Sequence, residues 1–378
     1  MTTSTRTPTD PAVAPLFRPF SLGTLDLPNR VVMAPMTRRF SPDGVPGPDV
    51  AAYYARRAAG GVGLIVTEGT YVDHPSAGEY ANVPRFHGEE ALLGWKGVVE
   101  AVHAAGGRIM PQLWHVGPVR KPGAPPFPDA PVFTPSGLGP DGTPIGAAGP
   151  VPTARDIGAV ITAFAEGAAT AQRLGFDGVE LHGAHGYLID SFLWEGTNRR
   201  TDAYGGDPVA RTRLAAEIIA AVREATSPDF PVVLRISQWK GSDYTARIAQ
   251  SPAELESVLT PLVEAGVDAI HASTRRYWLP EFDGSPLNLA GWVKKLTGLP
   301  VISVGSVGLD EVFTASFTGG EAHPTGLDQL LERLGGDEFD LIAVGRALLT
   351  DPEWTEKIRT GRAGEVVTFT REDFGRLT

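Results

Sequence analysis

The sequence predicts an α/β fold of the TIM (β/α)8 barrel class. Two observations support this prediction. Short apolar strands alternate with helical segments along the whole chain of 378 residues, which is the order of elements in a parallel α/β barrel. No predicted strand is followed by a Gly-x-Gly-x-x-Gly turn, so a doubly wound dinucleotide-binding sheet is the weaker alternative.

Composition narrows the class of protein before any motif is considered. The hydrophobic fraction of 42% and the charged fraction of 20% are typical of a soluble globular protein. The formal charge of −11 argues against binding to nucleic acid or to an anionic membrane, and no apolar run reaches membrane-spanning length. Cysteine is absent, which excludes disulfides, thiolate catalysis and cysteine-bound iron–sulfur clusters.

The ends of the chain suggest a simple domain organisation. Residues 1–15 are rich in Thr and Pro and lack the apolar core of a signal peptide. We therefore expect a disordered tail over residues 1–15 and a single barrel domain over residues 16–378. A cytoplasmic location is the default expectation, and the choice between monomer and homo-oligomer stays open.

One pattern marks most of the predicted strands. A helix ends in small residues and glycine, and a short apolar run follows it. Glycine just past a helix is the usual left-handed cap. With three further apolar runs, the eight predicted strands comprise residues 30–33, 62–66, 108–113, 179–181, 232–236, 269–271, 301–304 and 341–344.

The segments between these strands carry helix starts and long connections. Thr153 and Asp156 have the spacing of a capping box at a helix start. The connection after the third strand, residues 114–152, is long and rich in Pro and Gly. Long irregular segments of compact domains are often functional lids. We therefore predict a capping loop here, joined over the catalytic face by residues 36–47 and 69–86.

The stretch 177–187 concentrates proton-handling side chains at the end of the fourth strand. An apolar run ends at Leu181, and His182, His185 and Tyr187 follow within six positions, separated by glycines that allow sharp turns. In a TIM barrel the carboxyl ends of the strands form the active site. These three residues are therefore candidate catalytic groups. The alternative interpretation is a loop with two surface histidines and a packed tyrosine.

Other strand ends carry polar or small residues that would face the same side of the barrel. They are Thr37 after the first strand, Gln112 and Trp114 at the third, Arg235 at the fifth, Gly305 and Ser306 after the seventh, and Gly345 and Arg346 after the eighth. The loops after strands seven and eight form the usual phosphate site of this fold. Singly, each has a structural alternative, such as a tight turn for Gly305 or a surface salt bridge for Arg346.

Together these motifs resemble those of the old yellow enzyme family of FMN-dependent ene-reductases. The matching segments are residues 29–38, 112–115, 181–187, 198–213 and 342–346. The resemblance runs from about residue 16 to about residue 355 and so covers nearly the whole chain. The His-x-x-His-x-Tyr and Asp-x-Tyr-Gly-Gly elements are together highly specific, and we interpret the second one as structural.

The resemblance implies a function and a set of roles. Non-covalent FMN would be held by Ala34, Pro35, Met36, Thr37, Gly69, Gln112, Arg235, Gly305, Ser306, Gly345 and Arg346. The substrate's carbonyl oxygen would be bound by His182 and His185, the proton would come from Tyr187, and Trp114 would line the substrate pocket. NADPH or NADH would be the transient hydride donor in a ping-pong reduction of α,β-unsaturated carbonyls, maleimides or nitroalkenes.

The chemistry of the residues fits these roles. Two imidazole N–H donors aimed at one oxygen would stabilise an enolate as an oxyanion hole does. A nearby phenol can protonate the α-carbon as a general acid. Arg235 would face the N1 and C2-carbonyl edge of the flavin and stabilise its anionic reduced form, while Thr37 would hydrogen-bond the C4-carbonyl edge.

Three features depart from the family's usual pattern, and a fourth concerns contacts between subunits. Pro118 stands where a basic residue often follows Trp-His-x-Gly, and Thr37 stands where one branch of the family carries Cys. The segment 273–288 has no evident counterpart. Residues 371–378 correspond to a segment that reaches a neighbouring subunit in some relatives.

Two other classes of function remain as alternatives. A metal-dependent hydrolase would need ligands such as His182, His185, His271 and Glu180. We expect strand alternation to point Glu180 away from the neighbours of His182, and the glycine-broken spacing is unlike a zinc-binding helical pair. A non-catalytic flavin-binding barrel would not need both histidines and Tyr187. Flavin absorbance, and its bleaching by NAD(P)H, distinguishes the three classes.

Overall fold

The computed structural model describes residues 7–146, 151–311 and 322–378. Within them, eight parallel strands close into a barrel in the order β10-β3-β4-β5-β6-β7-β8-β9. These strands are β3 (Val31–Met33), β4 (Leu64–Tyr71), β5 (Ile109–Trp114), β6 (Val179–His185), β7 (Val232–Lys240), β8 (Ala269–Ser273), β9 (Val301–Val304) and β10 (Leu341–Val344). The predicted TIM barrel is confirmed, and each of the eight predicted strands corresponds to one barrel strand.

Several barrel strands are longer than the sequence predicts, and the extensions of two neighbouring strands shape the open end of the barrel. The strand predicted at 179–181 continues as β6 to His185, so His182 lies within the strand and not beyond it. Its partner β7 continues to Lys240, which pairs with His185 after a register shift. Arg235 consequently lies inside a strand rather than at its end. These extensions carry the histidines and Arg235 at the carboxyl end of the barrel.

Helices follow the strands and cover the barrel. They are α1 (Pro48–Ala59), α2 (Glu89–Ala104), α3 (Ala154–Leu174), α4 (Leu188–Leu193), α5 (Pro208–Arg211), α6 (Arg213–Ala225), α7 (Pro252–Glu264), α8 (Leu289–Thr297), α9 (Asp328–Gly335), α10 (Arg346–Thr350) and α11 (Trp354–Arg359). The predicted capping box of Thr153 and Asp156 begins α3. The helix ends at Gly175, whose φ of 88° is the left-handed cap that glycine adopts without strain. Among the described helices, none combines the length and the apolar character needed to cross a membrane.

A short antiparallel hairpin, β1 (Phe20–Leu22) with β2 (Leu25–Leu27), closes the amino-terminal end of the barrel. Its leucines pack against inward-facing residues at the beginnings of the strands, among them Val32, Leu64 and Ile302. This hairpin was not predicted from the sequence. It fills the floor of the barrel and leaves the opposite end open.

Residues 7–15, part of the tail that we expected to be disordered, contact the last α-helix of the chain. A 3-10 helix spans Pro11–Phe17, and the side chain of Asp10 accepts a hydrogen bond from Ala12 N at its start. Asp10 N donates to the carbonyl of Arg359 at 2.8 Å, and the guanidinium of Arg359 donates to the carbonyl of Thr7. These paired backbone groups order the segment against α11. Residues 1–6 of the predicted tail lie outside the described residues.

The long connection after β5 borders the open end of the barrel. The hydroxyl of Ser242, which follows β7, donates to the carbonyl of Pro140, and Arg199 N donates to the hydroxyl of Ser136 at 2.7 Å. The predicted capping loop therefore lies beside the carboxyl ends of β6 and β7. Its residues 147–150 lie outside the described part of the chain.

Candidate active site

A cavity of about 770 Å³ opens at the carboxyl ends of the barrel strands. Its lining includes every residue for which the sequence predicted a site role: Ala34, Pro35, Met36, Thr37, Gly69, Gln112, Trp114, His182, His185, Tyr187, Arg235, Gly305, Ser306, Gly345 and Arg346. These residues come from seven of the eight barrel strands or the loops that follow them. The parallel barrel brings them together because it points all of its strand ends to one side.

Three rings meet on one wall of this cavity. The ring centroids of His182 and His185 are 5.3 Å apart, and the Tyr187 ring lies 4.8 Å from His182 and 6.5 Å from His185. Trp114 packs edge-on against Tyr187 at 4.8 Å. This geometry contradicts the alternative of two surface histidines and a packed tyrosine.

Both histidines of this wall are held neutral. Burial lowers the pKa of His182 well below its usual range, and the charge of Arg235 lowers it further. The same two causes, with the neighbouring His182, lower the pKa of His185 well below its usual range. A neutral imidazole has one N–H donor and one acceptor nitrogen. The hydrogen bonds of each ring therefore decide which nitrogen can donate into the cavity.

Neighbouring groups fix the two rings differently. Nδ1 of His182 lies 3.4 Å from Ala184 N, which donates toward it, so the proton of this ring belongs on Nε2. Nε2 of His185 lies 2.8 Å from the hydroxyl of Ser273, and the Trp239 ring stacks on His185 at 4.4 Å. Ser273 and Trp239 are thus positioning residues that the sequence analysis did not identify.

The turn that carries Tyr187 rests on a buried ion pair. Lys240 Nζ lies 2.8 Å from Asp190 Oδ1, and both side chains are fully buried. The other carboxylate oxygen of Asp190 accepts from Gly186 N at 2.6 Å, and Lys240 also donates to the carbonyl of Gln238 at 2.8 Å. This network ties the end of β7 to the turn between His185 and Tyr187.

Arg235 is buried in the cavity floor with an incomplete set of partners. Its Nη2 donates to the Ser273 hydroxyl at 3.3 Å, while its Nε has no hydrogen-bond partner among the described residues. Burial lowers the pKa of Arg235, and the charge of Glu180 opposes this effect. An arginine in this setting can bind an additional anionic or hydrogen-bond-accepting group.

We expected Glu180 to point away from the neighbours of His182, but this expectation is wrong. Residues 180 and 182 are two apart on a strand and so share a face. Oε2 of Glu180 lies 2.7 Å from His271 Nδ1, and Oε1 accepts from Gln112 Nε2 at 2.8 Å. His271 and Arg235 lower the pKa of Glu180 against the opposing effect of burial, while burial lowers the pKa of His271. The pair is therefore a carboxylate beside a neutral imidazole.

The opposite end of the cavity is formed by the turns after β9 and β10. Gly305 adopts a φ of 150°, and a Cβ there would lie 2.6 Å from Thr274 Oγ1, so only glycine fits. The Ser306 hydroxyl lies 3.1 Å from the carbonyl of Arg275 and 2.9 Å from that of Glu311. Its single proton is directed to these carbonyls, which leaves the backbone N–H of Ser306 as its possible donor to a ligand. Arg346 begins α10, and burial lowers its pKa to about 10.

The loop after β3 forms the third wall. Residues Ala34, Pro35, Met36 and Thr37 line the cavity along it, and a carboxylate behind it, Glu68, accepts hydrogen bonds from the backbone N–H groups of residues 38 and 39. Gly69 must lack a side chain because a Cβ would lie 2.5 Å from Trp114 Cε3. This wall is therefore flat and mostly apolar, and the polar side chains of Thr37 and Gln112 lie beside it.

These features fit FMN. A flat isoalloxazine ring suits the smooth wall at Gly69, and the partly unpaired guanidinium of Arg235 suits the electron-rich edge of that ring. The turns at Gly305 and Gly345 with Arg346 suit an anionic tail. A volume of about 770 Å³ lies within the range of sites for bound small molecules.

Several lining residues were not predicted from the sequence, among them Arg38, Arg39, Tyr80, Trp239, Tyr244, Ser273, Thr274, Arg275, Arg371 and Phe374. The segment 273–288 contributes to this lining through its first residues, and it ends where Asn288 caps α8. The C-terminal segment packs on its own chain, where Arg38 Nη2 donates to the carbonyls of Asp373 and Arg376. Arg371 and Phe374 thereby join the cavity wall.

The metal-site alternative has no support in the described ranges. Within residues 7–146, 151–311 and 322–378, no group of three or more His, Asp or Glu side chains could hold a metal ion. His271 and Glu180 instead bond to each other in the barrel interior.

Comparisons with known proteins agree with this geometry. The chain matches the family model described as NADH:flavin oxidoreductase / NADH oxidase over residues 15–365. It is 34% identical over 370 residues to 12-oxophytodienoate reductase 7 of Oryza sativa subsp. japonica, covering 92% of this chain and 88% of the relative. It is also 34% identical over 366 residues to an NADH oxidase of Thermoanaerobacter brockii, with 93% of this chain covered but only 52% of the relative, so it spans about half of that protein.

Solved structures show the same architecture. Morphinone reductase in complex with tetrahydroNAD superimposes with a TM-score of 0.80 at 31% identity, covering 95% of this chain and 93% of that one. An old yellow enzyme from Pichia sp. AKU4542 superimposes with a TM-score of 0.78 at 27% identity, covering 95% and 89% of the two chains.

Proposed function

The chain belongs to the NADH:flavin oxidoreductase / NADH oxidase family, that of the old yellow enzymes, and is an FMN-dependent NAD(P)H oxidoreductase; from that premise we propose that it reduces activated C=C bonds, with Tyr187 as the proton donor. The substrates are α,β-unsaturated carbonyls, maleimides and nitroalkenes. The observation that carries this proposal is the convergence of His182, His185 and Tyr187 on one cavity wall.

The histidine pair would bind and polarise the substrate's carbonyl oxygen. Both rings are neutral, and His182 directs its acceptor nitrogen to the backbone, so its Nε2–H is available to the cavity. A hydroxyl bond from Ser273 to Nε2 of His185 would leave Nδ1–H of that ring as the second donor. Two fixed donors stabilise the negative charge that develops on this oxygen without reorganising in the transition state.

Tyr187 would supply the proton that the α-carbon needs. Burial raises the pKa of Tyr187 far above its ordinary value, so the phenol stays protonated at every physiological pH and remains a standing acid. Its ring is held by Trp114 on one side and His182 on another. The short turn before it is fixed by Asp190, which supports a defined aim for the hydroxyl.

FMN, when bound, supplies the redox chemistry that takes hydride from the nicotinamide and passes it to the alkene. Arg235 would hold the electron-rich edge of the ring, with Gln112 beside it. Ser306, through its backbone N–H, and Arg346 would hold the phosphate. Because the histidine wall would receive both the nicotinamide and the alkene, we propose that they bind in turn, in a ping-pong cycle.

Tyr187→Phe tests the proposal because it removes the proton and keeps the ring. Reduction of the bound flavin by NAD(P)H needs no proton delivered to carbon and should stay within about twofold of wild type. Reoxidation by cyclohexenone should slow by about 10²–10⁴-fold, the usual contribution of a general acid. Stopped-flow absorbance measures the two half-reactions separately.

Nitroalkenes provide the internal control for this experiment. Their nitronate product can leave unprotonated and take its proton from water, so the variant should reduce them with a smaller loss. Equal losses in both half-reactions, or no loss with cyclohexenone, would show that Tyr187 is not the acid. If the protein binds FMN but NAD(P)H never bleaches the flavin absorbance, the protein is instead a non-catalytic flavin-binding barrel.

A further inference from the structure

A continuous row of side chains leads from the histidine wall to the edge of the cavity. Trp239 stacks on His185 with ring centroids 4.4 Å apart. Tyr244 lies edge-on to Trp239 at 5.8 Å. The guanidinium of Arg275 then lies 3.9 Å over the Tyr244 ring. A ligand whose carbonyl oxygen is bound at His185 can therefore extend along two aromatic rings toward a cation.

The charge of the cavity lining is strongly one-sided. The described lining residues include the six arginines Arg38, Arg39, Arg235, Arg275, Arg346 and Arg371 and not one Asp or Glu, in a chain of net charge −11. FMN would account for Arg235 and Arg346, and Arg38 donates to backbone carbonyls of the C-terminal segment. This distribution leaves positive charge at the mouth beyond what the cofactor needs.

Arg275 is the best placed of the remaining cations. It is half-buried, and in the described part of the chain no carboxylate lies within ion-pair distance of its guanidinium. The neighbouring Arg276 differs, because it lies 3.7 Å from Glu311. Stacking on Tyr244 uses the face of the Arg275 guanidinium and leaves its N–H edge for a planar anion.

A second cavity gives this edge room for a ligand. It has a volume of about 220 Å³ and shares Trp239, Tyr244, Ser273, Thr274 and Arg275 with the main cavity. Arg275 and Tyr244 therefore stand at the junction of the two spaces. Among the described residues, the one carboxylate that lines this second cavity, Glu281, is paired with Arg247, so a short chain with an anionic group can extend past Arg275 without facing an unpaired carboxylate.

We propose that Arg275, on the platform of Tyr244 and Trp239, is a subsite for an anionic oxygen group at the far end of a ligand bound by the histidine wall. The source that we favour is an alkene substrate with a carboxylate side chain. The phosphates of the nicotinamide dinucleotide carry the same chemistry and are the other source. The proposal rests on the proposed function, since His182 and His185 must hold the ligand's oxygen.

Phenols with and without an acidic side chain test the subsite on the oxidised holoenzyme. Phenolates bound next to a flavin give a long-wavelength charge-transfer band, so the band reports Kd at equilibrium without turnover. The probes are phenol itself and 3-(4-hydroxyphenyl)propionate. Arg275→Gln should raise the Kd of the acidic phenol about tenfold, as expected for loss of a charged hydrogen bond. It should change the Kd of phenol itself by less than about twofold.

Two further variants separate a specific contact from net charge. Arg275→Lys keeps the charge but loses the planar fork, so it should recover only part of the affinity for the acid. Arg213→Gln removes an exposed arginine that is paired with Glu217 on the surface and should change neither Kd. Thermal melting of each holoenzyme checks that the variants are folded.

A second arm identifies the source of the anion. The Kd values of NADPH, NADH and the truncated N-benzyl-1,4-dihydronicotinamide are measured from reduction of the flavin. Arg275→Gln could raise the Kd of the dinucleotides about tenfold and leave the Kd of both the truncated donor and the acidic phenol unchanged. The anion bound at Arg275 would then be a phosphate of the nicotinamide dinucleotide. Equal behaviour of Arg275→Gln and Arg213→Gln in both arms overturns the subsite. Absence of the phenol band in wild type refutes the histidine wall itself, and the subsite with it.

Discussion

Two fully buried pairs of titratable side chains lie close to the cavity, and they differ in how completely they are hydrogen-bonded. Lys240 and Asp190 are joined at 2.8 Å, and both have further partners, the carbonyl of Gln238 for the lysine and the N–H of Gly186 for the aspartate. His271 and Glu180 are joined at 2.7 Å, but Nε2 of His271 has no partner among the described residues.

The difference separates a structural pair from one that belongs to a binding site. A buried charge whose every donor and acceptor is used has nothing left for a ligand. Beside Glu180, in contrast, Arg235 also keeps an unpaired Nε. Perturbed pKa values alone do not make this distinction, because buried structural pairs also perturb pKa values. Of these unused groups, the Nε of Arg235 belongs to a residue that lines the cavity in which the cofactor would bind.

Asp190→Asn tests the structural pair and should have the largest effect. It leaves Lys240 charged and unpaired inside the protein, so the free energy of unfolding should fall by about 3–5 kcal/mol. Urea unfolding of the FMN-free protein measures this change. The control is Arg213→Gln, which breaks an exposed pair and should cost less than about 1 kcal/mol. A loss as small as that of the control would mean that Lys240 finds another partner.

The histidine of the second pair contributes to acid sensitivity. Burial lowers the pKa of His271, and it lowers those of His115, His182 and His185 well below the usual value. Unfolding restores the ordinary value of about 6.5. The unfolded chain therefore binds more protons below that pH, and stability falls as the pH falls through 6.5.

Each such histidine lowers the free energy of unfolding by up to about 1.4 kcal/mol per pH unit below 6.5. Urea unfolding at several pH values between 7 and 5 measures the slope. His115 does not line the cavity, so His115→Asn removes one of these groups without changing the site. It should lower the slope by up to about 1.4 kcal/mol per pH unit, the contribution of one proton. Constant stability across this range would show that the histidines bind protons in the folded state.

Glu180→Gln tests the second pair through the cofactor. It keeps a side-chain oxygen for Gln112 but removes the negative charge that balances Arg235. The excess positive charge should stabilise the anionic reduced flavin and raise its midpoint potential, by on the order of 30 mV for a two-electron couple shifted by about 1.4 kcal/mol. Photoreduction against reference dyes measures it. An unchanged potential would show that the charge of Glu180 does not act on the flavin and that its role is structural.

The eight strands and the barrel were predictable because their signals are local. Apolar runs behind glycine caps, and the capping box of Thr153, need only neighbouring residues to be recognised. The order at residues 7–15 could not be foreseen, because its hydrogen bonds reach Arg359 at the far end of the chain. The motif residues of the cavity were predictable as a set because every barrel strand end faces the same side.

The supporting residues were not predictable because they depend on register between strands. Lys240 meets Asp190 only because β7 extends to pair with His185. Ser273 reaches His185 from two strands away, and no sequence spacing encodes that contact. The placement of Glu180 is different, since the alternation rule gives the face that it shares with His182. That error came from applying the rule incorrectly.

Ser273→Ala should have the smallest effect. It tests the contact between Arg235, beside the second pair, and the histidine wall. The hydroxyl of Ser273 contacts both Arg235 and His185. As it accepts from the guanidinium, its own proton is directed to Nε2 of His185, which fixes the proton of the ring on Nδ1. Without it, His185 can adopt either tautomer, and only one donates to the ligand. Phenol should then bind about three- to tenfold more weakly, as for loss of one hydrogen bond.

The tautomer itself is the decisive measurement for this prediction. Nitrogen-15 NMR of labelled protein distinguishes a protonated Nδ1 from a protonated Nε2, so wild type should show Nδ1–H at His185 and Ser273→Ala a mixture. Ser237→Ala is the matched control, because the Ser237 hydroxyl accepts from the backbone N–H of His185 and does not touch its ring. If Ser273→Ala weakens the binding of phenol without changing the tautomer, the serine acts through Arg235. Binding at the histidine wall would then depend on a residue that holds the cofactor.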